Sequence, residues 1–258
     1  MPRKFLIVGT QRTGSQALFQ ALNLHPDVVC GGEWTQDVPA HRKIDVAARA
    51  LAGDISDVID LRPADEMQRV KERAVATSWF GFKILFRSSD KWLLHPRVAP
   101  ALLVDRLEGH LAWLRQQSDV YIIQLVRADG IEWLKSKYLA KATGAFTNAL
   151  YPEDTRITVP VRKALRALQA KNWVDRRLAT LANSNPYCRI VYEEFAADNK
   201  RGLETCMAFL GCDVTRLPAD LRFIEKQSKQ SADSYIRNYE ELAGALEARQ
   251  MRSADLLS

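Results

Sequence analysis

The sequence predicts an α/β fold in three layers, a central parallel sheet flanked by helices. Three observations carry this prediction. Short apolar runs rich in branched residues recur near 5–8, 82–86, 120–126 and 189–192. Helical stretches separate them, and no linker or internal repeat cuts the chain. Continuous apolar runs, as opposed to alternating ones, mark strands buried on both faces, which a helix-covered parallel sheet requires. With 258 residues, 47% of them hydrophobic, the chain can bury a full core without a metal or disulfide staple. One domain over residues 1–258 is expected.

The elements follow in order. Phe5-Leu-Ile-Val8 is the first strand, and it runs into Gly9-Thr-Gln-Arg-Thr-Gly14-Ser-Gln16. Leu18, Ala21 and Leu22 then recur at helical spacing, so the loop ends on a helix start. Unpaired N–H groups and the helix dipole make such a start suited to phosphate. The charged, alanine-rich stretches 37–75, 91–117 and 153–183 read as helices that wrap the sheet and form an acceptor cleft. Gly81-Phe-Lys83-Ile-Leu is a strand between them. Val120–Val126 is the next strand, and Arg127 follows it at once. Asp129 and Glu132 read as a capping box for a helix that continues through Ile131, Leu134, Tyr138 and Leu139 and carries Ser136. Arg189–Tyr192 ends a later core strand, and the Lys226–Gln230 loop precedes a last helix.

Charge and cysteine content narrow the function. Lys and Arg number 37 against 31 Asp and Glu, a net +6 spread along the chain with no basic block. That pattern fits a small anionic ligand better than nucleic acid, which is not expected as a partner. Cys30, Cys188, Cys206 and Cys212 form no CxxC pair and have no adjacent His pair, so no metal site is expected. Buried free thiols and the lack of a long apolar run point to a soluble, cytoplasmic protein without a membrane span. His25, His41, His95 and His110 have no partner motif. The six tryptophans, Trp34, Trp79, Trp92, Trp113, Trp133 and Trp173, read mainly as core.

The first loop departs from the Walker pattern in an informative way. Gly9 and Gly14 have the right spacing, but Ser15 replaces the phosphate-binding Lys and Gln16 replaces the magnesium-binding hydroxyl. The cation has moved inside the loop, to Arg12. Amides, hydroxyls and one Arg without a magnesium ligand suit a phosphate that carries a good leaving group. Magnesium-dependent phosphoryl transfer by a nucleotide kinase is therefore the weaker alternative, beside a nucleotide-binding module without catalysis.

Phe-Leu-Ile-Val-Gly followed by Gln11-Arg12-Thr13-Gly14-Ser15-Gln16-Ala17 resembles the 5′-phosphosulfate loop of sulfotransferases that use 3′-phosphoadenosine 5′-phosphosulfate (PAPS). Strand, Arg127, turn and helix with Ser136 resembles the 3′-phosphate site of the bacterial carbohydrate, trehalose and lipooligosaccharide branch. Gly81-Phe-Lys83, Tyr192-Glu193-Glu194 and the Lys226–Asn238 tail extend the resemblance over residues 4–245. It implies a P-loop-like fold and sulfuryl transfer from PAPS to a saccharide, small-molecule or lipid-linked hydroxyl, leaving 3′-phosphoadenosine 5′-phosphate (PAP), with no metal. It also implies roles. Gln11 to Ala17 hold the 5′-phosphosulfate, and Arg127, Ser136, Lys226 and Lys229 hold the nucleotide. Arg12 stabilises the leaving oxygen. Glu33 is the base or else a surface or salt-bridged residue, and Lys83 assists at the sulfuryl oxygens or pairs with a carboxylate.

Overall fold

The computed structural model describes residues 2–33, 42–52, 70, 72–73, 76–86, 99–146, 150–221 and 230–255. Its elements run β1 (Arg3–Thr10), α1 (Ser15–Leu22), β2 (Val28–Cys30), α2 (Lys43–Leu51), β3 (Trp79–Phe86) and α3 (Ala99–Gln116). They continue β4 (Tyr121–Val126), α4 (Gly130–Thr143), α5 (Val161–Ala179), β5 (Tyr187–Val191), α6 (Tyr192–Ala197) and α7 (Asn199–Leu210). Helices α8 (Ala232–Tyr235) and α9 (Tyr239–Asp255) close the described chain.

The five strands are all parallel in the order β2-β3-β1-β4-β5. β1 is central, and Phe5, Leu6, Ile7 and Val8 are fully buried. Each such side chain contributes about 1.5–3 kcal/mol by leaving water. Successive residues face opposite sides, so the sheet has two cores. Phe5 and Ile7 meet α1 and α7 through Leu18, Leu22, Leu203 and Met207. Leu6 and Val8 meet α2, α3 and α5 through Val46, Leu107, Leu111 and Val174. Three layers result, as the sequence predicts. A third core joins α4, the first half of α5, α8 and α9 around Trp133, Leu139, Tyr235 and Leu242.

Four strands match the sequence prediction within a few residues, and β2 is additional. Three residues after Pro26-Asp27 are too short to show periodicity, and β2 exists because it pairs with β3 from Val28↔Trp79 to Cys30↔Gly81. β3 begins at Trp79, ahead of the predicted 82, since its first residues pair along β1. Tyr192 starts α6 and does not end β5. The predicted helix over 153–183 forms from Val161. Pro160 cannot donate a helix bond and holds the residue before it extended. Ile157 instead bridges to Ile236, and Asn238 binds both backbone groups of Val159.

This topology decides where a ligand can sit. From β1 the chain moves through α1 to β2, on one side of the sheet, while from β4 it moves to β5 on the other. The loops after β1 and β4 therefore diverge above adjacent strands. A crevice at the carboxyl ends of such strands is the usual ligand position in open α/β sheets.

Candidate active site

The loop after β1 is held open by two left-handed residues, Arg12 at φ 68° and Gly14 at φ 82°. For Arg12 this conformation costs roughly 1–2 kcal/mol, so the surroundings must hold it. Thr13 Oγ1 donates to the Thr10 carbonyl at 2.8 Å and closes the turn inward. Gly14 caps α1, and no side chain bonds that helix start, whose first turn carries no acidic residue. The helix dipole and the orphan amides of the first turn then favour an anion. Gly14 is also sterically required, because a Cβ there would lie 2.2 Å from the Tyr192 ring. Ser15 is buried beside it. Two predicted donors are already committed within the fold. The Ala17 amide donates to the Gly14 carbonyl at 3.0 Å, and the Gln11 amide reaches the Phe86 carbonyl at 3.4 Å. The Gln11 carbonyl accepts from Trp133 Nε1 at 2.8 Å, which ties the loop to α4.

The Arg12 guanidinium is gripped on three sides. Nε donates to Ser136 Oγ at 3.0 Å, one terminal nitrogen to Tyr151 Oη at 2.9 Å, and the other to the Phe146 carbonyl. Tyr151 in turn donates to the Ala145 carbonyl at 3.0 Å. Burial pulls the Arg12 pKa below the ordinary arginine value, and nearby Arg127 adds to that. Burial pushes the Tyr151 phenol up, so Tyr151 keeps its proton at neutral pH.

Arg127 leaves β4 buried, with 4% exposure. Its guanidinium lies 4.7 Å from the Tyr192 ring centroid, a cation–π contact. Nη1 donates to the Arg12 carbonyl at 3.3 Å and Nη2 to Glu132 Oε2 at 3.2 Å. Nε is buried without a hydrogen-bond partner, with Glu193 Oε1 3.8 Å away. A buried, unsatisfied donor on a guanidinium is a place for an anion's oxygen. Ser136 is buried as well, nearly two turns along α4, and it meets Arg12 across 124 residues of sequence. The structure thus brings Arg12, Arg127 and Ser136 to one point between the β1 and β4 loops.

The expected capping box takes a different form. Asp129 Oδ1 accepts from the Glu132 amide at 2.9 Å, as predicted. The Glu132 carboxylate does not return to Asp129, since it has cations to bind in Arg127 and Lys135. The amides of Ala128 and Asp129 donate instead to the two oxygens of Glu193, at 3.0 and 3.1 Å.

Lys83 and Glu33 lie on the β2 side of the loop. Lys83 is buried, donates from Nζ to Gln16 Oε1 at 3.0 Å and lies 5.0 Å from the Phe19 ring centroid. Gly31 N bonds Gly81 O and Lys83 N bonds Gly32 O, so the chain continues beside β3 as far as Glu33. Glu33 therefore emerges at the carboxyl end of the sheet, level with Lys83. Lys226 and Lys229 fall outside the described residues, as do Trp34, Trp92, His41 and His95. His25 is buried, facing the Asp213 carbonyl and the Asp27 amide, and His110 packs edge-on against Phe86. Trp79 and Trp133 are fully buried core, and Trp113 and Trp173 pack against the core. Sequence reasoning missed Tyr151 and the Phe146 carbonyl, and named Glu193 only within the Tyr192-Glu193-Glu194 stretch, without a site role. Tyr151 and Phe146 sit in an irregular segment with no motif, so no local signal could have found them.

A family model described as the sulfotransferase family matches residues 3–216. The chain belongs to that family. A crystal structure of a sulfotransferase from Alicyclobacillus acidocaldarius is similar at 16% identity, covering 87% of each chain with a TM-score of 0.47. The sulfotransferase domain of the curacin biosynthetic pathway shows 15% identity over 93% of this chain and 86% of that one, with a TM-score of 0.46. The sulfotransferase domain of the Synechococcus PCC 7002 olefin synthase shows 14% identity over 82% and 74%, with a TM-score of 0.43. No curated protein matches the chain. Among the described residues, no helix is long and apolar enough to cross a membrane.

Proposed function

We propose that this sulfotransferase transfers the sulfuryl group of PAPS to a hydroxyl of a saccharide, small molecule or lipid-linked alcohol. The observation that carries the reading is the convergence of Arg12, Arg127 and Ser136 above β1 and β4. Two phosphate-seeking groups at one crevice, one on a glycine loop and one at a strand end, suit a nucleotide with phosphates at both its 5′ and 3′ positions. Thr13 to Gln16 take the 5′-phosphosulfate at the start of α1. Arg127 presents its Nε, which lacks a hydrogen-bond partner, to the 3′-phosphate, with Ser136 beside it. Gln11 and Ala17 contribute through the shape of the loop, since their amides are already engaged. Lys226 and Lys229 complete nucleotide binding.

In the reaction the acceptor oxygen forms a bond to sulfur as the bond from sulfur to the 5′-phosphate oxygen breaks in line. The electron pair leaves with PAP, and the acceptor proton passes to a base. Arg12 neutralises the leaving oxygen, for which its guanidinium must turn from Tyr151 and the Phe146 carbonyl toward the loop. Lys83, next to Gln16, reaches the sulfuryl oxygens. Glu33, beyond the end of β2, is the base. The chain acts as one domain over residues 1–258, which the continuity of α5 through two cores supports. Four free cysteines support a reducing, cytoplasmic setting.

Calorimetric titration with PAP, AMP and ATP–magnesium tests the donor. Selective binding of PAP is expected. Equal or tighter binding of ATP–magnesium would overturn the reading in favour of phosphoryl transfer. Glu33→Gln should lower turnover by about 100-fold with little change in PAP affinity, and near-normal turnover would remove it as the base.

A further inference from the structure

Helix α4 carries a buried charge that the donor reading leaves unused. Lys135 is fully buried. Its ammonium donates to Glu132 Oε1 at 2.7 Å and to the Gln230 carbonyl at 2.9 Å, and it lies 5.7 Å from the Tyr235 ring centroid. The other oxygen of Glu132 receives Nη2 of Arg127 at 3.2 Å. A single carboxylate thus bridges the lysine and the arginine. A buried ion pair is costly to desolvate and adds little net cohesion, so its location is informative.

The charges around Arg127 show what the lysine does. Glu132 faces it from α4 and Glu193 from α6. Arg12 lies on the loop side, and the exposed Asp233 approaches Lys135 from α8. Two carboxylates against the Arg127 guanidinium alone would repel an incoming phosphate dianion. Lys135 balances the second carboxylate.

We infer that Lys135 is a positioning residue for recognition of the 3′-phosphate. It takes up the charge of Glu132 and holds that carboxylate on Nη2, so that Arg127 keeps its Nε, which has no hydrogen-bond partner, for the phosphate. The inference rests on the proposed donor. Calorimetry with PAP and AMP isolates it, because the two ligands differ by the 3′-phosphate. In Lys135→Met, or Lys135→Gln if only that variant folds, the PAP-over-AMP preference should fall about 10-fold or more, with AMP affinity within about twofold. In Lys135→Met/Glu132→Gln, which removes both charges, the preference should return to within about threefold of wild type. An unchanged preference in the single variant would overturn the inference. So would a preference lost equally in the double variant, since Lys135 would then only hold the helix in place. A wild-type protein with no preference for PAP would sink the donor reading instead.

Discussion

The loop after β1 and the turn after β4 both offer a guanidinium at the carboxyl end of a strand, by different means. Arg12 sits on strained backbone, and its side chain donates to a hydroxyl, a phenol and a carbonyl, all neutral groups. Arg127 sits on ordinary backbone between two carboxylates and an aromatic ring. Neutral partners release a cation cheaply, whereas carboxylates hold it firmly. The first arrangement suits a group that changes partner during a reaction, the second a group that fixes a ligand.

The sharpest way to break this comparison is Arg12→Ala. Turnover should fall about 1,000-fold, the scale for losing a donor to a developing oxyanion, with PAP affinity down less than about 10-fold. Steady-state sulfation and calorimetry measure the two. Next is Gly14→Ala, in which positive φ and the Tyr192 ring both oppose a methyl. A loss of about 2–4 kcal/mol in a denaturant melt is expected. Arg127→Ala should then invert the pattern of Arg12, weakening PAP by about 100-fold while AMP changes little, by loss of a charge-assisted contact. If Arg127→Ala slowed turnover at saturating PAP as strongly as Arg12→Ala, the division of labour would be wrong. Tyr151→Phe removes the phenol bond on Arg12 and should change kcat by about 5-fold. The smallest effect is chemical. Burial pushes the Cys30 thiol up to about 12, so it carries almost no thiolate at pH 8. Iodoacetamide should spare Cys30 in the native protein and label it once denaturant is added.

Much of the fold was legible because its signals are local. Phe5–Val8 announces a strand buried on both faces by composition alone, and Gly9 with Gly14 announces the turn that follows. Arg127 directly after an apolar run marks a strand end. β2 was not legible, since three residues carry no period and their strand character comes from pairing with β3. Glu132 was legible as a helix-start residue and misassigned as a cap. Its local partner, the Asp129 amide, was taken by Glu193, which is remote in sequence.

The sequence by itself determined the alternation of four strands with helices, the burial of the first strand on both faces and the two arginines at strand ends. Those properties follow from side-chain size, branching and polarity within windows of a few residues. Only the tertiary structure decided that β4 lies beside β1, and with it the meeting of Arg12 and Ser136. It also decided that Tyr151 reaches Arg12, and that Lys135 shares a carboxylate with Arg127. A side chain's partner depends on which elements pack together, and that is settled by burial of the whole chain's apolar surface.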